Sequence, residues 1–99
     1  MGTLFYDGQA AIELADRQLR HLQLAIIDKL RRREGFALAW EADDEPLGVT
    51  LWISPASSLR FVFTEQKDQP ASRAWVDAFL ATAIAGTMSI VAEPVPPGS

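Results

Sequence analysis

The sequence predicts an α+β fold: a two-layer sandwich in the order ββαβββαβ, with a mainly antiparallel sheet and two helices on one face. Three observations carry this expectation. Two stretches, Asp16 to Arg33 and Ala71 to Ala85, return apolar residues at helical spacing. Shorter stretches before and between them alternate at the two-residue period of strands. The helices interrupt runs of strands instead of alternating with them, the pattern of antiparallel sheets with segregated helices.

Thr3 to Tyr6 and Ala10 to Leu14 flank Asp7-Gly8, a dipeptide suited to the positive φ angles of a tight hairpin turn. In the first helix Leu19, Leu22, Ile26 and Leu30 share one side with Ile27 at its edge, while Arg17, His21, Asp28 and Arg32 fall opposite. Asp16 is placed to cap the first amides, and Gly35 to end the last turn. Phe36, Leu38 and Trp40 then alternate with Ala37 and Ala39 as a strand, before an acidic loop from Glu41 to Pro46.

Gly48 to Ile53 and Leu59 to Thr64 are the next two strands, joined by a Ser- and Pro-rich turn. If Ile53 pairs with Leu59, Trp52 lies directly across from Arg60. Pro70 stands where a first-turn proline would start the second helix, whose apolar side is Trp75, Val76, Phe79, Leu80 and Ala83. Gly86 ends it, and Met88 to Val91 add a last strand. One domain is expected over residues 1–92, with a flexible Pro-rich tail over 93–99. Leu22→Asp or Phe61→Asp should unfold this core.

Hydrophobic residues make up 48% and charged ones 22%, the mixture of a folded globular chain. The absence of cysteine excludes disulfides and thiolate sites. A net charge of -4 argues against wholesale attraction to nucleic acid or anionic membrane, so such contact needs a local basic patch. With neither a signal peptide nor a membrane-spanning stretch in view, cytoplasmic residence is expected.

Candidate sites are few. Arg20, Lys29, Arg31, Arg32 and Arg33 could neutralise phosphates, although cations at a helix C-terminus are also favoured by its dipole. His21, the single histidine, projects toward the wet side of its helix and has no nucleophile elbow to serve. Glu41, Asp43, Asp44 and Glu45 fit no calcium-loop spacing. Thr50, Trp52, Arg60 and Val62 sit on strand faces that the helices do not claim, where Trp52 and Arg60 could anchor an interface. Pro94-Val95-Pro96-Pro97 satisfies a short Pro-x-x-Pro pattern.

Met1-Gly2-Thr3-Leu4 with Tyr6, Asp16-Arg17, His21-Leu22-Gln23, Lys29-Leu30-Arg31-Arg32, Phe36 with Trp40, Leu51-Trp52-Ile53 with Pro55, and Trp75-Val76 are also informative together. In combination they resemble a short actinobacterial family, a domain of unknown function whose members are often labelled ATP-dependent DNA ligase. The similarity spans nearly the whole chain apart from the tail. The family pattern has histidine where this chain has Ser54, a glycine near Arg33, and Ala-Asn-Ser near Ala83 to Ala85. Adenylation needs lysine in a Lys-x-Asp-Gly context, which neither Lys29 nor Lys67 provides.

The expected function is that of a small non-catalytic module without cofactor or metal. It self-associates or docks a protein through Thr50, Trp52, Arg60 and Val62. The alternative is a nucleic-acid accessory factor that uses the basic helix end.

Overall fold

Asp7 and Gly8 take φ angles of 50° and 84° and close the opening hairpin, as their residue types require. The computed structural model describes residues 1–65 and 70–94. Strand β1 spans Gly2–Tyr6 and β2 Gln9–Leu14; helix α1 covers Asp16–Arg31. Strands β3 (Phe36–Ala42), β4 (Glu45–Ile53) and β5 (Leu59–Val62) follow, then helix α2 (Arg73–Thr82), a 3-10 turn (Ala83–Ala85) and β6 (Thr87–Ser89). The α+β class and the order ββαβββαβ are those expected from the sequence.

The six strands form two three-stranded sheets, β2-β1-β5 and β4-β3-β6. The division follows from β5. Ser57 N–H donates to the Ser54 carbonyl at 2.9 Å, a turn that carries the chain away from β4. Strand β5 then pairs antiparallel with β1, which sets Phe61 opposite Leu4. Trp52 therefore lies across from Ala37, and Arg60 across from Phe5; the expected Trp52–Arg60 pairing does not form. Among the described residues only β6 runs parallel to its neighbour, β3.

Each sheet buries one face in a common core. Leu4 and Ile12 come from the first sheet, and Phe36, Leu38, Ile53 and Met88 from the second. Leu19, Leu22 and Ile26 of α1 and Trp75, Val76 and Phe79 of α2 complete it. Gly2 is close-packed here: a Cβ would sit 2.6 Å from Leu19 and 2.9 Å from the Val62 carbonyl oxygen. Leu22 is fully buried, as its unfolding substitution supposes, while Phe61 is half-buried at the core's margin.

Both expected caps of α1 are differently made. Ala15 is the N-cap residue, and the Asp16 carboxylate turns instead to Thr64 and Glu65, whose amides it accepts at 3.1 and 2.7 Å. At the other end Glu34 N–H donates to the Lys29 carbonyl and Arg33 N–H to that of Leu30. This double closure places Arg33, not Gly35, in the left-handed conformation, with φ 57°.

Helix α2 is shorter than its apolar pattern because Ser72 caps it, its hydroxyl accepting the Trp75 amide; Pro70 therefore precedes the helix. Gly86 ends the 3-10 turn with φ 98°, the role expected of it. The acidic loop contracts to a turn at Asp43 and Asp44, since β3 and β4 extend through Ala42 and from Glu45. Residues 95–99, with most of the Pro-x-x-Pro pattern, lie outside the described residues.

Candidate interaction surfaces

His21 is 1% exposed, contrary to the wet position that helical spacing assigns it. Helix α2 covers it. Its imidazole stacks on Trp75 with centroids 4.6 Å apart, and Ser72 N–H donates to Nε2 at 2.8 Å. Nδ1 lies 2.7 Å from the Arg17 carbonyl oxygen. An amide can only donate and a carbonyl can only accept, so the ring carries its proton on Nδ1 and is neutral. The Ser72 hydroxyl accepts from the Trp75 amide, and the His21 Nε2 lone pair is taken by the Ser72 backbone N–H and not by that hydroxyl.

The same node holds the end of the described chain. Trp75 Nε1–H and the Gln18 amide group both donate to the Val91 carbonyl, at 3.0 and 2.9 Å. Arg17 bonds both carboxylate oxygens of Glu93, at 3.1 and 3.0 Å, with its guanidinium 5.8 Å from the Trp75 ring centre. The Arg17 hydrogen bond leads in holding the Glu93 carboxyl below its ordinary value. At Asp16 partial desolvation is the largest influence and acts upward. The Glu65 amide and the Thr64 hydroxyl and amide, with the N-terminal ammonium, outweigh it and keep the carboxyl low.

The four residues expected to share one interaction surface are divided between the sheets. Thr50 and Trp52 lie on the outer face of β4-β3-β6, beside Ala37, Ala39, Thr87 and Ser89, none of them charged. Trp52 is 61% exposed. Gly35 underlies its indole so closely that a Cβ there would come within 2.8 Å of Trp52 Cζ2. Arg60 and Val62 lie on the outer face of the other sheet, where the Arg60 guanidinium sits 5.0 Å from the Phe5 ring centre. A hydrogen bond of 2.8 Å from the Tyr6 hydroxyl to the Trp52 carbonyl ties the two sheets together.

The basic helix end is partly neutralised. Lys29 pairs with Glu34 at 2.9 Å. Arg32 lies 3.1 Å from Asp28, close enough for charge attraction although not aligned as a hydrogen bond. Arg20, Arg31 and Arg33 are exposed and form no ion pair among the described residues.

Sequence reasoning missed an open cleft of about 1010 Å³ between β2 and the β3–β4 hairpin. Ile12, Leu14, Trp40 and Val49 supply its apolar lining, and Glu13, Glu41, Asp43 and Asp44 its charge. The acidic turn was visible in the sequence, but its position opposite β2 depends on how the sheets are placed. Among the described residues no three His, Cys, Asp or Glu side chains gather into a group that could hold a metal ion.

The family model of a domain of unknown function, DUF7882, matches residues 1–93. No curated protein and no solved structure matches the chain.

Proposed function

The chain belongs to the family of the domain of unknown function DUF7882, and we propose that this member is a small non-catalytic, cytoplasmic interaction module that self-associates through the outer face of β4-β3-β6. The exposed Trp52 carries this reading. A large aromatic side chain outside the core, on a face of small uncharged residues, gains by removing its ring from water against another flat surface. A second copy supplies the same surface around a twofold axis. Arg60 and Val62 belong to the other sheet and are left out of the contact.

Sedimentation of the wild type and of Trp52→Ala tests the reading. The expected result is a dimer that Trp52→Ala converts to a folded monomer. A monomeric wild type at high concentration would remove the support for self-association, and capture of a different protein that depends on Trp52 would redirect it to a heterologous contact.

Arg20, Arg31 and Arg33, exposed and in no ion pair among the described residues, favour a second reading, a nucleic-acid accessory factor. The ligase label attached to the actinobacterial proteins that the sequence resembles fits this context alone, since Lys29 and Lys67 stand outside a Lys-x-Asp-Gly setting. Salt-sensitive binding of nicked duplex DNA, abolished by joint reversal of Arg31, Arg32 and Arg33 to Glu, would promote it over the first.

A further inference from the structure

We propose that the cleft between the two sheets binds an extended, basic peptide segment as an added strand. The first support is the backbone. Strand β2 pairs with β1 on one side, and no strand pairs with its other side among the described residues. Among the described residues β3 pairs with β6 only from Ala37 to Ala39, so residues 40–42 have no strand partner there on their β6 side. Residues 11–14 and 39–44 all line the cleft without a gap. Successive strand residues point to opposite faces, so unbroken lining by 11–14 sets the free edge of β2 at the cleft. Ser89 and Ile90 also line it, which places it beside residues 40–42 where β6 stops, and residues 47–50 of β4 line it across the hairpin. Two unpaired edges thus border one opening, and backbone N–H and C=O groups there are suited to an incoming strand.

The second support is the opening's chemistry. Its volume of about 1010 Å³ is at the top of the roughly 300–1,000 Å³ range of ligand sites. Ile12, Leu14, Trp40 and Val49 offer apolar contact to alternate side chains of an extended peptide. Glu13, Glu41, Asp43 and Asp44 form no ion pair among the described residues; no Lys, Arg or His side chain lines the cleft, and the ammonium of Met1, which does line it, is engaged by Thr64 and Asp16. The charge left uncompensated selects lysine or arginine at the intervening positions, and it repels acidic segments. The inference goes beyond the Trp52 contact. The cleft adjoins that face at Ala39, Thr50 and Ser89 but does not include Trp52.

The test titrates the full chain into a fluorescein-labelled hexapeptide of alternating lysine and valine, followed by anisotropy at two salt concentrations. Two controls accompany it: alternating glutamate and valine, and the lysine peptide with alternate backbone nitrogens methylated. The expected result is saturable binding that weakens with salt and is at least about tenfold tighter than for either control. The amide resonances of residues 11–14 and 40–42 should shift with the same affinity. Glu13→Gln with Asp43→Asn should weaken binding several-fold, while Trp52→Ala, which lies outside the cleft, should still bind. Absence of binding at low salt would overturn the proposal. So would equal binding of the methylated peptide, which would show attraction by charge without strand pairing, or amide shifts confined to other strands. The proposed dimer face shares Ala39, Thr50 and Ser89 with the cleft, so the titration is repeated on Trp52→Ala. Peptide binding with a monomeric wild type sinks the self-association reading alone, and a dimer that Trp52→Ala dissociates, with no peptide binding by the variant, sinks this proposal alone.

Discussion

Ser72 donates its backbone N–H to His21 Nε2 at 2.8 Å, so the first residue of the α2 cap is held by a ring on α1. That bond links the two helices directly at the head of α2, and it requires a lone pair on Nε2. His21→Phe keeps the stack on Trp75 but leaves the Ser72 amide without its acceptor. The expected cost is about 1 to 3 kcal/mol in urea unfolding. In the wild type, nitrogen-15 shifts should report a proton on Nδ1; an Nε2–H tautomer would contradict the hydrogen-bond assignment.

Glu93 provides an acid-sensitive tie. Its carboxyl is held below the ordinary value of 4.5, first by the Arg17 hydrogen bond. A depressed folded value means that its contribution is present above the ordinary value and lost as pH falls through the folded one. Glu93→Gln should therefore lower the Tm at neutral pH. The wild-type and variant curves should converge in acid as the wild-type carboxyl is protonated. Parallel curves across the whole range would show that the Arg17 pair contributes nothing to folding.

Arg33 occupies a left-handed position at φ 57°. A side chain in that conformation costs about 1 to 2 kcal/mol, while glycine costs backbone entropy on folding. Arg33→Gly should accordingly raise stability by up to about 1 kcal/mol. Arg33→Val should lower it, since a branched side chain is worse placed there. Thermal melts of the two variants against the wild type decide the matter.

Gly35 governs Trp52. An alanine Cβ would press on the far end of an exposed indole, which can swing aside at a cost within about 1 kcal/mol. Gly35→Ala should leave the melt nearly unchanged, alter Trp52 fluorescence and weaken self-association as Trp52→Ala does. A strongly destabilised variant would show that the indole is fixed in place.

The apolar periods that located both helices and most strands act at short range, through side chains that share a face whatever they meet. Leu19, Leu22, Phe36, Leu38 and Phe79 were legible as core for that reason. Asp7-Gly8 and Gly86 were legible because their local conformations demand their residue types. The candidate surfaces were only half legible: the exposed Trp52 followed from strand alternation, but its grouping with Arg60 required a pairing that β5 does not make.

What the sequence determined alone was the class, the element order and most of the apolar face of the helices and of β3, since these depend on residues close along the chain. The tertiary structure decided which strands join which sheet, and it decided the burial of His21. It also drew Asp16 away from its own helix to the amides of Thr64 and Glu65, and set the acidic turn opposite β2. Each of these brings together groups distant in sequence, and hydrogen-bonding groups take whichever partners the packing places within reach.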